Sequence, residues 1–219
     1  MFGSFSSGLA QHNAVPVTSG LVHGQQQHGN SAQHGPDAVA PIDIHALSAA
    51  KGYNPLVFET RPPQARFFVI KSFTEDDVFK SIKFEIWSST VLGNNRLDKA
   101  FTDQKDKGPI YLFFSVNASG HFCGVAEMLT ALDYTVTSNV WAQGDKWKGV
   151  MKLRWIYIKD IPNPALRHLK LTNTNEQKPV TSSRDTQEVP YEQGCEMLRI
   201  FVSYQSKTSL LQGKSSLLQ

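Results

Sequence analysis

The sequence predicts a mixed α/β domain behind a disordered N-terminal tail: a central curved β-sheet or barrel of about six strands, with helices packed around it. Three observations carry that prediction. Composition changes abruptly near residue 65. Beyond it, apolar runs of strand length alternate with stretches of helical period. Gly, Pro and Asn turn signals separate the two kinds.

Of the 219 residues, 1–65 carry only five charged side chains (Asp37, Asp43, Lys51, Glu59, Arg61) and five of the seven His. A stretch such as GLVHGQQQHGNSAQHGP buries too little apolar surface to offset the chain entropy lost on ordering. Residues 1–65 therefore read as a low-complexity tail, and the irregular His spacing supplies no metal site. Residues 66–205 are the predicted domain, and 206–219 a flexible C-terminal tail.

Arg66 to Lys71 (RFFVIK) is β-rich and reads as a buried strand. Thr74 follows as an N-cap, and Glu75, Asp76 and Asp77 suit the positive end of a helix dipole. Val78, Phe79, Ile82 and Ile86 keep helical spacing, so this helix is expected to run to about Trp87, where Ser88-Ser89-Thr90 disfavours continuation. Gly93-Asn94-Asn95 introduces a second, short helix around Leu97, Ala100 and Phe101, which Gly108-Pro109 breaks. Ile110–Val116 and His121–Met128 flank the turn Asn117–Gly120 as a hairpin. From Val150 to Ile158, Met151, Leu153, Trp155 and Tyr157 alternate with Lys152 and Arg154, a strand with one apolar face that Pro162 and Pro164 end. Residues 172–184 read as a polar loop. A last helix begins near Pro190, with Tyr191, Cys195, Leu198 and Val202 on one stripe.

Residues 66–219 hold 20 basic and 16 acidic side chains, and within 134–184 nine Lys/Arg face three Asp/Glu. Such a patch fits an anionic partner, nucleic acid first, and equally an ordinary solvated face. Cys123 and Cys195 show no pairing pattern and no C-x-x-C, against a disulfide framework or a zinc site. The longest apolar run, Ile110 to Phe114, is too short to cross a bilayer, and the N-terminus lacks a signal-peptide pattern. The sequence reading is an intracellular, soluble protein with no membrane association.

Four tryptophans are the candidate site residues. Trp155 alternates with core residues and belongs to packing. Trp87 sits one position past the apolar stripe of its helix, with core packing the default. Trp141 and Trp147 lie in SNVWAQGDKWKG, which has neither strand nor helix period. One loop indole reads as a plug folded onto the core. Two of them beside Lys146 and Lys148 form the pattern of a base-stacking platform, or walls of a cage for a methylated group. His121 and Cys123 share a strand face and could form a nucleophile–base pair, but nothing nearby supplies an oxyanion hole, and a buried Cys is the plainer reading. GDKWKG lacks the spacing of a P-loop.

Taken together, FFVIKSFTEDDVFKSIKFEIWSST, GPIYLFFSVNASGHFCGVAEM, VWAQGDKWKG, RWIYIKDIPN, LRHLKL and KPVTSSRDTQEVP resemble the YTH domain, specifically its cytoplasmic DF-type branch, over about residues 66–205. The resemblance implies an α/β fold around a curved sheet or barrel. It implies binding of single-stranded RNA carrying N6-methyladenosine, without catalysis, cofactor or metal. By motif, Trp87, Trp141 and Trp147 form the methyladenine cage around a flipped base. The base hydrogen-bonding set is Ser72, Phe73, Asp77 and the Ser88 carbonyl, which accepts from N6–H. Lys71 and Arg184 are the phosphate-binding pair, with Lys146 and Lys148 as additional phosphate contacts. Methyladenine is neutral, so the attraction is apolar burial of roughly 0.8 kcal/mol per methyl, raised to about 1–2 kcal/mol by aromatic packing.

The sequence departs from the DF pattern at three points. Five residues (AQGDK) separate the loop tryptophans where DF-type loops commonly have four, so Gly144 must form a bulge to keep Trp147 in place. Phe73 stands for a frequent Tyr, and Ser88 for a frequent Cys. The resemblance implies a monomeric cytoplasmic reader that influences mRNA stability or translation, with decay or translation factors meeting the tail. The alternative is an RNA-binding domain of the same fold without methyl selectivity; a Cys123 hydrolase is the reading from another class.

Overall fold

Six strands form one mixed sheet in the order β2-β5-β4-β3-β1-β6, curled as a half-barrel. They are β1 (Arg66–Ser72), β2 (Ile86–Trp87), β3 (Ile110–Val116), β4 (His121–Met128), β5 (Met151–Pro162) and β6 (Gln187–Val189). The structure is a computed structural model and describes residues 44–136, 141 and 147–212. The expected disorder of residues 1–43 and the bulge at Gly144 fall outside the described residues.

β1 explains the layering. Phe67 and Val69 enter the core on one face of the sheet, Phe68 and Ile70 the core on the other, and all four are buried. A strand apolar on both faces requires cover on both. Helices α2 (Glu75–Phe84) and α3 (Val91–Gln104) contribute Val78, Ile82, Leu97 and Ala100 to the first core, and α5 (Tyr191–Ser203) contributes Cys195, Leu198 and Phe201 to the second. β1 runs parallel to β3, so the chain between them crosses over through α2, β2 and α3. The β3–β4 hairpin and the Pro-terminated β5 lie where the sequence puts them.

Three local expectations are corrected. Helix α2 stops at Phe84, because Glu85 turns left-handed (φ 56°) and Ile86 and Trp87 pair antiparallel with Lys152 and Met151. Trp87 therefore sits in a strand; strand pairing outweighs the helical spacing that included Ile86. Helix α3 begins at Val91, capped by Thr90 Oγ1, which accepts from Gly93 N at 3.1 Å, and spans 14 residues. Gly93 lies inside its first turn, where a Cβ would collide with Ser89 Oγ and come within 2.9 Å of Thr186 Cγ2. In β5 the register against β4 shifts between Val125↔Tyr157 and Ala126↔Trp155. That bulge sends Tyr157 to the second core, away from Met151, Leu153 and Trp155 in the first.

Sequence inspection also misses α1 (Ile44–Lys51), α4 (Asn163–Leu166) and β6. Past α1, Tyr53 is buried, the Asn54 side chain accepts from Ile158 N at 2.9 Å, and Phe58 meets Tyr111 and Tyr157 edge-on. Residues 53–58 thus strap the domain, although composition puts them in the tail. At the other end Leu210 and Leu211 join the first core, and Ser209 Oγ donates to Ile158 O at 3.0 Å. Isolated anchors in polar surroundings leave no compositional signal. Trp155, read as packing, is buried with its Nε1 donating to Ser81 Oγ at 3.3 Å.

Candidate functional site

Four segments meet at the ends of β1 and β2: Lys71–Phe73, Trp87–Thr90, the loop carrying Trp141 and Trp147, and Ser183–Asp185. They enclose a cavity of about 340 Å³, also lined by Asp77 and Asn117, a size typical of small-ligand clefts. The base of the tryptophan loop is closed by a two-way pairing of Asp133 and Val150, at 2.9 and 3.0 Å. Gly149 at φ +83° makes the turn out of it, where a Cβ would press on the Tyr134 ring at 3.0 Å.

The aromatic wall is built from the core outward. Trp87 stands edge-to-face on Phe114, ring centroids 5.0 Å apart at 88°, and on Trp141 at 5.4 Å and 73°. Phe73 leans on Trp147 at 5.9 Å. Trp87, Trp141 and Trp147 are between 5 and 8% exposed, and the Nε1 atoms of Trp87 and Trp141 are buried without a hydrogen-bond partner among the described residues. Two indoles meeting near a right angle form a corner. A flat ring inserted between them would need about 7 Å, two aromatic contacts of 3.5 Å each.

The polar side is organised around Asp185, which the sequence reading does not single out. Its carboxylate accepts from Lys71 N at 2.9 Å and from Ser89 Oγ, tying β1 to the turn after Trp87. Burial pushes its pKa up, opposed by those hydrogen bonds and by Arg96. The Lys71 ammonium is pulled below its usual range by burial, opposed by nearby Cys123 and Asp185. It donates to Ser115 Oγ at 3.2 Å and sits 5.2 Å over the Phe122 ring. Asp77 accepts from Thr74 Oγ1 at 2.8 Å while its own N–H donates to that oxygen at 3.0 Å, the N-cap of α2.

Every described site residue named from the sequence lines this cavity except Lys148, which is exposed on the loop stem. Lys146 lies outside the described residues. Phe73, assigned by resemblance to base hydrogen bonding, also lends its ring to Trp147. Sequence reasoning misses Ser89, Thr90, Asn117, Ser183 and Asp185 as lining residues. Ser89 and Thr90 follow Trp87-Ser88 directly, and Ser183 and Asp185 flank Arg184, so adjacency was the available signal. Asn117, a polar turn residue, carried none.

Cys123 is fully buried, donates to Phe114 O at 3.5 Å, and has its thiol pushed well up by burial. His121 instead contacts Ser119 O at 3.0 Å and Asp160 at 3.5 Å. The arrangement gives Cys123 no base. Among the described residues no group of His, Cys, Asp and Glu is set to hold a metal ion, and no helix is long and apolar enough to cross a membrane.

The sequence model of the YTH family, described as the YT521-B-like domain, matches residues 65–202. The chain belongs to the YTH domain family. YTH domain-containing family protein 2 of Homo sapiens is 50% identical over 199 residues, covering 91% of this chain and 33% of that protein. The Danio rerio family protein 2 is 53% identical over 167 residues, 76% of this chain and 27% of that one. The chain thus spans about a third of the length of these curated YTH relatives. The crystal structure of the YTH domain of Zygosaccharomyces rouxii MRB1 protein in complex with N6-methyladenosine RNA aligns with a TM-score of 0.63 at 42% identity, covering 68% of this chain and 95% of that one.

Proposed function

We propose that this YTH domain binds single-stranded RNA containing N6-methyladenosine as a reader without catalysis. One observation carries the reading: Trp87, Trp141 and Trp147 line a single cavity that also holds Lys71 and Arg184. The corner of Trp87 and Trp141 takes the methyl group, and the base lies against the remaining indole face of Trp147. The Ser88 carbonyl accepts from N6–H, and Lys71 and Arg184 hold the flanking phosphates. A methyl group moved from water into this corner contributes roughly 0.8 kcal/mol, or about 1–2 kcal/mol with close aromatic contact. That corresponds to a preference on the order of tenfold.

The N6-methyladenosine RNA in the Zygosaccharomyces rouxii complex supports the same ligand. For the whole protein the proposal is a cytoplasmic regulator of mRNA stability or translation, monomeric through this domain, with decay or translation factors recruited by the tail. Paired fluorescence titrations with one RNA oligonucleotide, methylated and unmethylated, test the domain's part. Tighter binding of the methylated strand is expected; equal affinities would leave the alternative, an RNA-binding YTH domain blind to the methyl.

A further inference from the structure

The backbone ladder between β2 and β5 ends at Trp87↔Met151. Beyond it no further backbone pairing joins the two segments among the described residues, and Val150 bonds Asp133 on the opposite edge. One side chain spans the gap. Asn94, in the first turn of α3 and 1% exposed, accepts from Ser89 N through Oδ1 at 2.8 Å. Its Nδ2 donates to Lys148 O at 2.8 Å and to Ser88 Oγ at 3.3 Å. A carboxamide has the donor and acceptor of a peptide group, so Asn94 continues the ladder where backbone pairing stops.

We propose that Asn94 is a positioning residue for methyl discrimination, fixing both the spacing of the Trp87 and Trp147 walls and the orientation of the Ser88 carbonyl. Lys148 directly follows Trp147, so holding its carbonyl holds that wall. The N–H of Ser89 and the C=O of Ser88 belong to one planar trans peptide, and they point in opposite directions. With the N–H turned toward Asn94, the carbonyl faces away from it. Asn94 itself touches no ligand. The inference rests on the methyladenosine reading of the pocket and deepens it.

Asn94→Asp separates the two bonds at nearly constant shape. A carboxylate still accepts from Ser89 N–H, but it opposes Lys148 O with a second acceptor. Burial raises such a carboxyl's pKa, and on protonation its O–H donates to Lys148 O again. Titrations of the wild type and Asn94→Asp with methylated and unmethylated RNA, at about pH 7.5 and about pH 5, read the ratio of affinities. The expected result is a ratio lowered about fivefold or more in the variant at neutral pH, the scale of one hydrogen bond to a buried carbonyl, and restored at acid pH. A general packing defect would not be reversed by acid.

A folded variant that keeps the wild-type ratio overturns the proposal, as does a loss that acid fails to reverse. Hydrogen exchange of the Ser89 amide in the wild type decides it independently, even where the variant does not fold: strong protection is expected, and exchange at the rate of an open loop overturns it. Equal affinities in the wild type would instead contradict the reader assignment, and they appear before any substitution is made.

Discussion

Trp87 and Trp141 come from a strand and a loop 54 positions apart in sequence, yet their rings meet at 5.4 Å with planes 73° apart. Trp87 is backed by Phe114 at 5.0 Å and is therefore part of the core as well as of the cavity wall. Trp87→Ala should lower stability by about 3–5 kcal/mol, as large aromatic deletions in cores do, and so confounds any binding measurement. Trp141 is as buried and joins the same core, so the titration of Trp141→Ala is read beside a thermal melt that shows the variant folded at the assay temperature.

Asp77→Asn should keep or strengthen binding of methylated RNA. Adenine N1 is an acceptor, and an ionised carboxylate has no proton to give it, whereas an amide does. Thr74 Oγ1 can continue to donate to the side-chain oxygen that remains. A large loss of affinity in a titration would refute this.

Arg184 is exposed and lines the cavity, with Glu176 near enough to feel its charge. Arg184→Ala should weaken methylated and unmethylated RNA alike, leaving their ratio intact. The slope of log affinity against log salt should become shallower by about one. A selective effect on methylated RNA would reassign Arg184 to base recognition.

Asp185 predicts a pH dependence of stability. Its folded-state pKa lies above the ordinary value, mainly through burial. A carboxyl raised on folding stabilises the fold most when protonated, and that contribution is lost as pH rises through the folded pKa. Against Asp185→Asn, which does not titrate, the wild type should therefore gain Tm as pH falls from about 7 toward about 4. Thermal melts across that range that show the gap moving the other way would disprove it.

Much of the fold was legible because its signals are local. The aromatic and β-branched run Arg66–Lys71, the Thr74 cap and the Ile110–Met128 hairpin are each set by neighbouring residues. What escaped depends on distant partners. Ile86–Trp87 forms a strand only because Met151 and Lys152 pair with it, and Tyr157 changes face only because of a bulge against β4. The site divides in the same way. Tryptophans in a polar loop stand out in any sequence, whereas Asp185 and Asn94 matter through bonds to Lys71, Ser89 and Lys148, which no spacing announces.

The most direct test of the account is the ratio of affinities for one RNA oligonucleotide with and without the N6-methyl group, measured on the wild type and on Trp141→Ala. The wild type should favour the methylated strand by about tenfold, and Trp141→Ala should bring the two affinities together, mainly by weakening the methylated one. A wild type indifferent to the methyl, or a Trp141→Ala variant that still prefers it, would contradict the assignment of this cavity as a methyladenine cage.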